Sequence, residues 1–79
     1  MRKEKAGGRD PLLMAFGLAI QKRRREMGIS QEEAAARAGI HRTYFADVER
    51  GARNVGFKNV VAFARGLDVT SSDLLKKIR

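Results

Sequence analysis

The sequence predicts an all-α domain of five short helices packed around one core. Three observations predict it. Apolar residues recur at spacings of three and four through most of the chain, the period of a helix with one buried face. Capping side chains and glycines punctuate those stretches at intervals that suit short helices. β-Branched residues are scattered within the helical patterns, the Val60-Val61 pair excepted, so nothing reads as a strand.

Residues Met1 to Asp10 read as a flexible arm: four basic residues, a Gly7-Gly8 pair and no apolar period. The domain proper is expected over residues 11–79. Pro11 suits a first helical turn, and Asp10 before it serves as N-cap. The first helix runs from there to about Met27 and ends at Gly28. Leu13, Phe16, Ile20 and Met27 supply its apolar positions, and Gly17 on that face admits a close neighbour.

Ser30 opens the second helix, and Glu33 three residues on completes a capping box. In that device the hydroxyl accepts from the Glu33 amide and the carboxylate reaches back to Ser30. Ala34, Ala35, Ala36 and Ala38 make the helix thin, and Gly39 ends it in the left-handed conformation. A third helix spans roughly Arg42 to Arg50, with Phe45 and Val48 inward, and stops at Gly51.

A polar connection over Ala52 to Val55 leads to a fourth helix from about Phe57 to Leu67. Its expected inner face is Phe57, Val60, Val61, Ala64 and Leu67. Asp68 sits in the following turn, since Asp tolerates left-handed geometry better than most residues. Thr70 then caps a fifth helix, with Asp73 as its capping-box partner. Leu74, Leu75 and Ile78 form the apolar side, and Lys76, Lys77 and Arg79 complement the helix dipole.

The 79 residues hold one small domain, which leaves no space for a separate sensor or catalytic unit, and no small-molecule ligand is expected. Without cysteine there is neither a disulfide framework nor a thiolate metal site. The longest apolar run, Leu12 to Ile20, is about half the ~20 residues that span a bilayer. Charged flanks and the lack of a small-residue cleavage site argue against a signal peptide, so a cytoplasmic, nucleoid-associated location is expected. Seventeen Lys and Arg oppose nine Asp and Glu, a formal charge of +8 at pH 7. On so small a domain that excess attracts polyanions, nucleic acid first.

Two short helices around a glycine-containing turn, Ser30 to Gly51, form the unit that sets one helix into a DNA major groove. Ala35 is small where the helices must cross, and Gly39 permits the turn. The outer face of the third helix then carries Arg42, Thr43, Ala46 and Asp47 toward DNA.

The segment from Arg24 to about Leu75 resembles the phage-repressor and Cro-like, or Xre-like, helix-turn-helix family. The residues that carry the resemblance are Arg24, Gly28-Ile29-Ser30-Gln31-Glu32-Glu33, Ala35, Gly39-Ile40 and Thr43-Tyr44-Phe45. Val48-Glu49-Arg50-Gly51, Arg53-Asn54 and Leu67-Asp68-Val69-Thr70 complete the ordered set. The resemblance implies a compact five-helix lambda-repressor-like fold that acts as a homodimer on a roughly palindromic operator in double-stranded DNA. It also implies an autoregulatory role, with RNA polymerase as a further partner. The Arg42-Thr43-Tyr44 start of the third helix, without a sensor domain, points to the controller proteins of restriction-modification systems. An antitoxin-like interaction module with secondary DNA binding is the alternative.

The resemblance implies residue roles as well. Arg42, Thr43, Ala46 and Asp47 read base edges; an arginine there pairs bidentately with guanine O6 and N7. Gln31 grips a phosphate and braces the third helix, and Tyr44, Arg50 and Arg53 contact the backbone. Arg24 and Glu49 form a partly buried ion pair. Three departures stand out: Arg23 replaces an apolar residue, Val55-Gly56 replaces a better cap, and Asp68 replaces glycine.

Blander roles compete at several positions. His41, the one histidine, serves as N-cap or phosphate contact, not as a metal ligand. Glu32 and Glu33 are explained by a first helical turn without invoking catalysis. Lys22-Arg23-Arg24-Arg25 reads as a DNA patch, a solvated face or, at Arg24, an ion-pair partner. Asp47 has three open roles: accepting from cytosine N4, holding Arg42 or a lysine, or facing solvent. Leu74, Leu75 and Ile78 exceed the needs of a short terminal helix and are expected at a dimer interface.

Overall fold

Asp10 starts the first helix as its spacing predicts: Oδ1 accepts from the Leu12 amide at 2.8 Å, with Pro11 in the first turn. A computed structural model describes residues 10–78. The expected basic arm, Asp10 apart, lies outside the described residues, as does Arg79. In order the elements are α1 (Pro11–Met27), α2 (Gln31–Ala38), α3 (Arg42–Glu49), α4 (Phe57–Gly66) and α5 (Ser71–Leu75), with no strand among the described residues.

Local capping chemistry explains most boundaries. Ser30 Oγ accepts from the Glu33 amide at 3.0 Å, but the Glu33 carboxylate does not return to Ser30. It pairs instead with Arg37 Nε, 3.0 Å away on the next turn, so α2 has half of the expected box. The full box is at α5, where Thr70 and Asp73 exchange side-chain and backbone bonds. Gly56 gives α4 no side-chain cap, as its departure from the family pattern implies. Gly39 has φ 68°, the left-handed geometry that turns α2 toward α3, and Asp68 has φ 56° as expected for its turn.

The core draws on every helix: Phe16 and Ile20, Ala34 and Ala35, Phe45 and Val48, Phe63, Ala64 and Leu67, and Leu74. Phe63 is its hub. Its ring meets Phe16 edge-on at 5.9 Å and lies 5.0 Å from Phe45 and 6.3 Å from Tyr44. Gly17 lets α1 cross α3 closely, because a Cβ there would strike the carbonyl oxygens of Val48 and Glu49. At Gly66 a Cβ would come 2.7 Å from the Cβ of Ala38, so α2 and α4 also need a residue without a side chain at their contact.

Four expectations change. Phe57 is 81% exposed and outside the core, whereas Phe63 takes the inner stripe with Val60, Ala64 and Leu67. Side chains lean toward a helix's N-terminus, so a first-turn residue projects beyond the packed end. Leu74 is only 4% exposed and belongs to this subunit's own core, which removes it from the expected dimer interface. Ile78 packs against the same core, while Leu75 stays 40% exposed. Arg23, an apparent departure, donates from Nε to the Leu67 carbonyl at 2.8 Å and so satisfies the C-terminal end of α4.

The basic run on α1 is therefore mostly engaged within the fold. Lys22 binds Glu26 at 2.8 Å and, through that hydrogen bond and its charge, holds the Glu26 carboxyl below the ordinary carboxylate range. Arg24 turns inward, and Arg25 is exposed.

Candidate nucleic-acid interface

The second and third helices are fixed to each other and to α1 by one carboxylate. Glu49, at the end of α3, is 6% exposed. Arg24 of α1 donates to it from Nε, at 3.1 Å to Oε2, and from Nη2, at 2.8 Å to the same oxygen. Arg24 Nη1 also donates to the Ile29 carbonyl at 3.0 Å, just ahead of α2. Gln31, the first residue of α2, donates from Nε2 to Glu49 Oε1 at 2.5 Å. The expected Arg24–Glu49 pair is thus present and extends to Gln31. A buried charge needs such multiple partners. The Gln31 amide nitrogen has two N–H groups, one of which braces α3.

This brace presents the start of α3 outward. His41 caps the helix: its Nδ1 accepts from the Thr43 amide at 3.1 Å. In the neutral ring the other nitrogen, Nε2, then carries the proton and is a donor. Arg42 and Thr43 follow and are exposed. Ala46 and Asp47, one turn further, are half-buried.

Asp47 does not hold Arg42 or a lysine. Its Oδ1 lies 2.6 Å from Arg50 Nη2, and its Oδ2 lies 3.6 Å from Arg53 Nη1. Arg53 also stacks on Tyr44, with its guanidinium carbon 5.0 Å from the ring centroid. The Tyr44 hydroxyl donates to the Asn54 carbonyl at 3.3 Å and accepts from Asn59 Nδ2 at 3.1 Å. Tyr44 thereby ties α3 to the connection that follows and to the first turn of α4.

Helical spacing places Arg42, Thr43, Ala46, Asp47 and Arg50 on one side of α3, whereas Arg24 and Glu49 lie inside the fold behind it. The apolar residues Leu74, Leu75 and Ile78 lie elsewhere, on and after α5. Asn59 was not singled out from the sequence, and Asn54 was named only as part of the resemblance, without a role of its own. Among the described residues, no group of three or more His, Cys, Asp and Glu is placed to hold a metal ion. No helix among them is long and apolar enough to cross a membrane.

Comparison with known proteins agrees with this geometry. The family model described as Helix-turn-helix matches residues 20–74. Control protein C.BamHI of Bacillus amyloliquefaciens is 38% identical over 63 residues, covering 78% of each chain. The crystal structure of the restriction-modification controller protein C.AhdI of Aeromonas hydrophila superposes with a TM-score of 0.76 at 39% identity. That match covers 78% of this chain and 94% of the other. The controller protein C.Esp1396I, solved as a tetramer with its natural 35 base-pair operator, matches with a TM-score of 0.78 at 31% identity. There 85% of this chain and 88% of the other are covered. With a family match over most of its length and the five-helix architecture of these structures, the chain belongs to the helix-turn-helix family.

Proposed function

We propose that this chain is a sequence-specific DNA-binding transcriptional regulator of the controller type, acting as a homodimer on a roughly palindromic operator and regulating its own gene. The observation that carries this reading is the rigid presentation of the start of α3. His41, Arg42 and Thr43 face outward, while the Arg24–Glu49–Gln31 network locks the helix from behind. A helix held this way enters a major groove with its N-terminal residues against base edges. The net charge of +8 supplies the attraction to phosphate.

The relatives support the same direction. C.Esp1396I has been solved on its operator. Structures of its variants at a consecutive arginine, threonine and tyrosine are also known. The same three residue types follow one another here as Arg42, Thr43 and Tyr44. In this reading Arg42 and Thr43 contact bases. Gln31, the His41 Nε2–H, Arg50 and Arg53 contact phosphates. Tyr44 acts mainly through Arg53 and the α3–α4 connection. Glu32 and Glu33 belong to a helix first turn, and the chain is not an enzyme. It works in the cytoplasm, with the nucleoid. Of the apolar residues expected at the subunit interface, Leu75 is the exposed one left to pair two subunits.

A gel-shift titration on the DNA upstream of the chain's own coding region tests the proposal. Saturable binding that competing unrelated DNA does not remove is expected. Binding no tighter than to unrelated DNA refutes autoregulation. In the same assay Arg42→Ala is expected to lose about 1–3 kcal/mol of affinity and to relax preference at one base position. Equal weakening on all sequences would make Arg42 a phosphate contact.

A further inference from the structure

The Asp47 carboxylate is an acid on the face read as meeting a polyanion. We propose that Asp47 is a specificity gate. It holds Arg50 and Arg53, offsetting part of their charge, in the free protein and releases them to phosphate on sequences that offer its carboxylate a base-edge donor. This inference rests on the DNA-binding reading above.

Three features of the geometry support it. Asp47 lies one turn beyond Thr43 at the (i, i+4) position, so both occupy the same strip of α3. Its two oxygens face two different arginines, at 2.6 Å for Arg50 and 3.6 Å for Arg53. The arginine side chains are well exposed, whereas the Asp47 side chain is 25% exposed. Exposed ion pairs of this kind are weak, and a phosphate can displace them. The carboxylate they leave behind then faces the DNA with its charge uncompensated. Phosphate alone therefore gains little from Arg50 and Arg53, because each contact exposes a repelled acid. Where the groove presents a cytosine N4 or adenine N6 amino group, the freed carboxylate accepts a hydrogen bond. The exchange is then favourable on that sequence and unfavourable elsewhere. Arg53 also keeps its stack on Tyr44, which holds it near the surface it would contact.

The test compares the full chain with Asp47→Asn, which removes the charge and preserves size. Both bind the selected operator duplex and a scrambled duplex of equal length over a series of salt concentrations, with thermal melting alongside. The gate predicts that Asp47→Asn tightens binding to the scrambled duplex about fivefold or more. The logarithmic salt dependence should steepen by about 0.9 for each arginine newly on a phosphate. The ratio of operator to scrambled affinity should fall about tenfold, with melting little changed. In the double variant Asp47→Asn/Arg50→Ala, much of the gain on scrambled DNA should disappear, because one released arginine is absent. Unchanged or weaker binding of Asp47→Asn to scrambled DNA overturns the gate, whatever happens on the operator. So does a gain that survives in full in the double variant. If the unsubstituted chain shows no preference for any selected duplex, the DNA-reading proposal itself fails; a clear preference with an inert Asp47→Asn sinks only the gate.

Discussion

Replacing Glu49 by alanine is expected to destabilise the fold by about 3–5 kcal/mol, the range for removing one partner of a buried ion pair. Glu49 receives Arg24 from α1 and Gln31 from α2. Its loss leaves the mostly buried Arg24 guanidinium with the Ile29 carbonyl as its remaining hydrogen-bond acceptor. The Gln31 amide loses its acceptor as well. In a domain of this size such a loss lowers the melting temperature by roughly 15–30 °C. Urea denaturation checks it: the midpoint should fall with the slope preserved. The exposed Glu33–Arg37 pair gives the contrast. Arg37→Ala should stay within about 1 kcal/mol. A Glu49→Ala cost that small would mean that the network does not fix α3.

Phe63→Ala is expected to cost a similar amount, about 3–5 kcal/mol, by a different route. The ring is fully buried and touches Phe16 of α1 and both Tyr44 and Phe45 of α3. Its removal opens a cavity where three helices meet, and packed neighbours collapse into such a space only partly. The same substitution takes away a ring that packs against Tyr44. Arg53 and the α3–α4 connection, both held by Tyr44, should loosen with it. Phe57→Ala, on an exposed ring of the same helix, should leave monomer stability nearly unchanged. Equal losses in the two variants would show that the inner face of α4 has been misassigned.

The elements were legible where their causes are local. Asp10, Ser30 and Thr70 cap helices through bonds spanning two or three residues. Gly39 turns the chain by its own φ. These follow from residue type and spacing. What stayed hidden depends on neighbours distant in sequence. Phe57 and Phe63 both fit the helical period, and only the packed end of α4 decides which is inside. Arg23 departs from an apolar pattern until its acceptor, the Leu67 carbonyl, arrives 44 residues later. Leu74 and Leu75 are adjacent and chemically alike, so composition could not divide core from surface.

At the interface the division is similar. The Arg24–Glu49 pair and the bracing of the third helix by Gln31 both came from the family resemblance; the folded chain shows that the two meet on one carboxylate. The Asp47–Arg50 bond spans three residues and was open to a helix-spacing argument, but a reading centred on base contact directed Asp47 toward Arg42 instead. Its second partner, Arg53, stands beyond the end of α3, where helical spacing no longer applies. Tyr44's ties to Asn54 and Asn59 likewise need the folded connection.

Selection from a random duplex pool by the full chain, followed by sequencing of the bound fraction, tests DNA reading by α3 most directly. The expected result is a consensus of two inverted half-sites whose centres lie about one helical turn apart, with preference at particular bases lost in Arg42→Ala and Thr43→Ala. Uniform recovery of the pool, or a consensus that both substitutions leave intact, would contradict it.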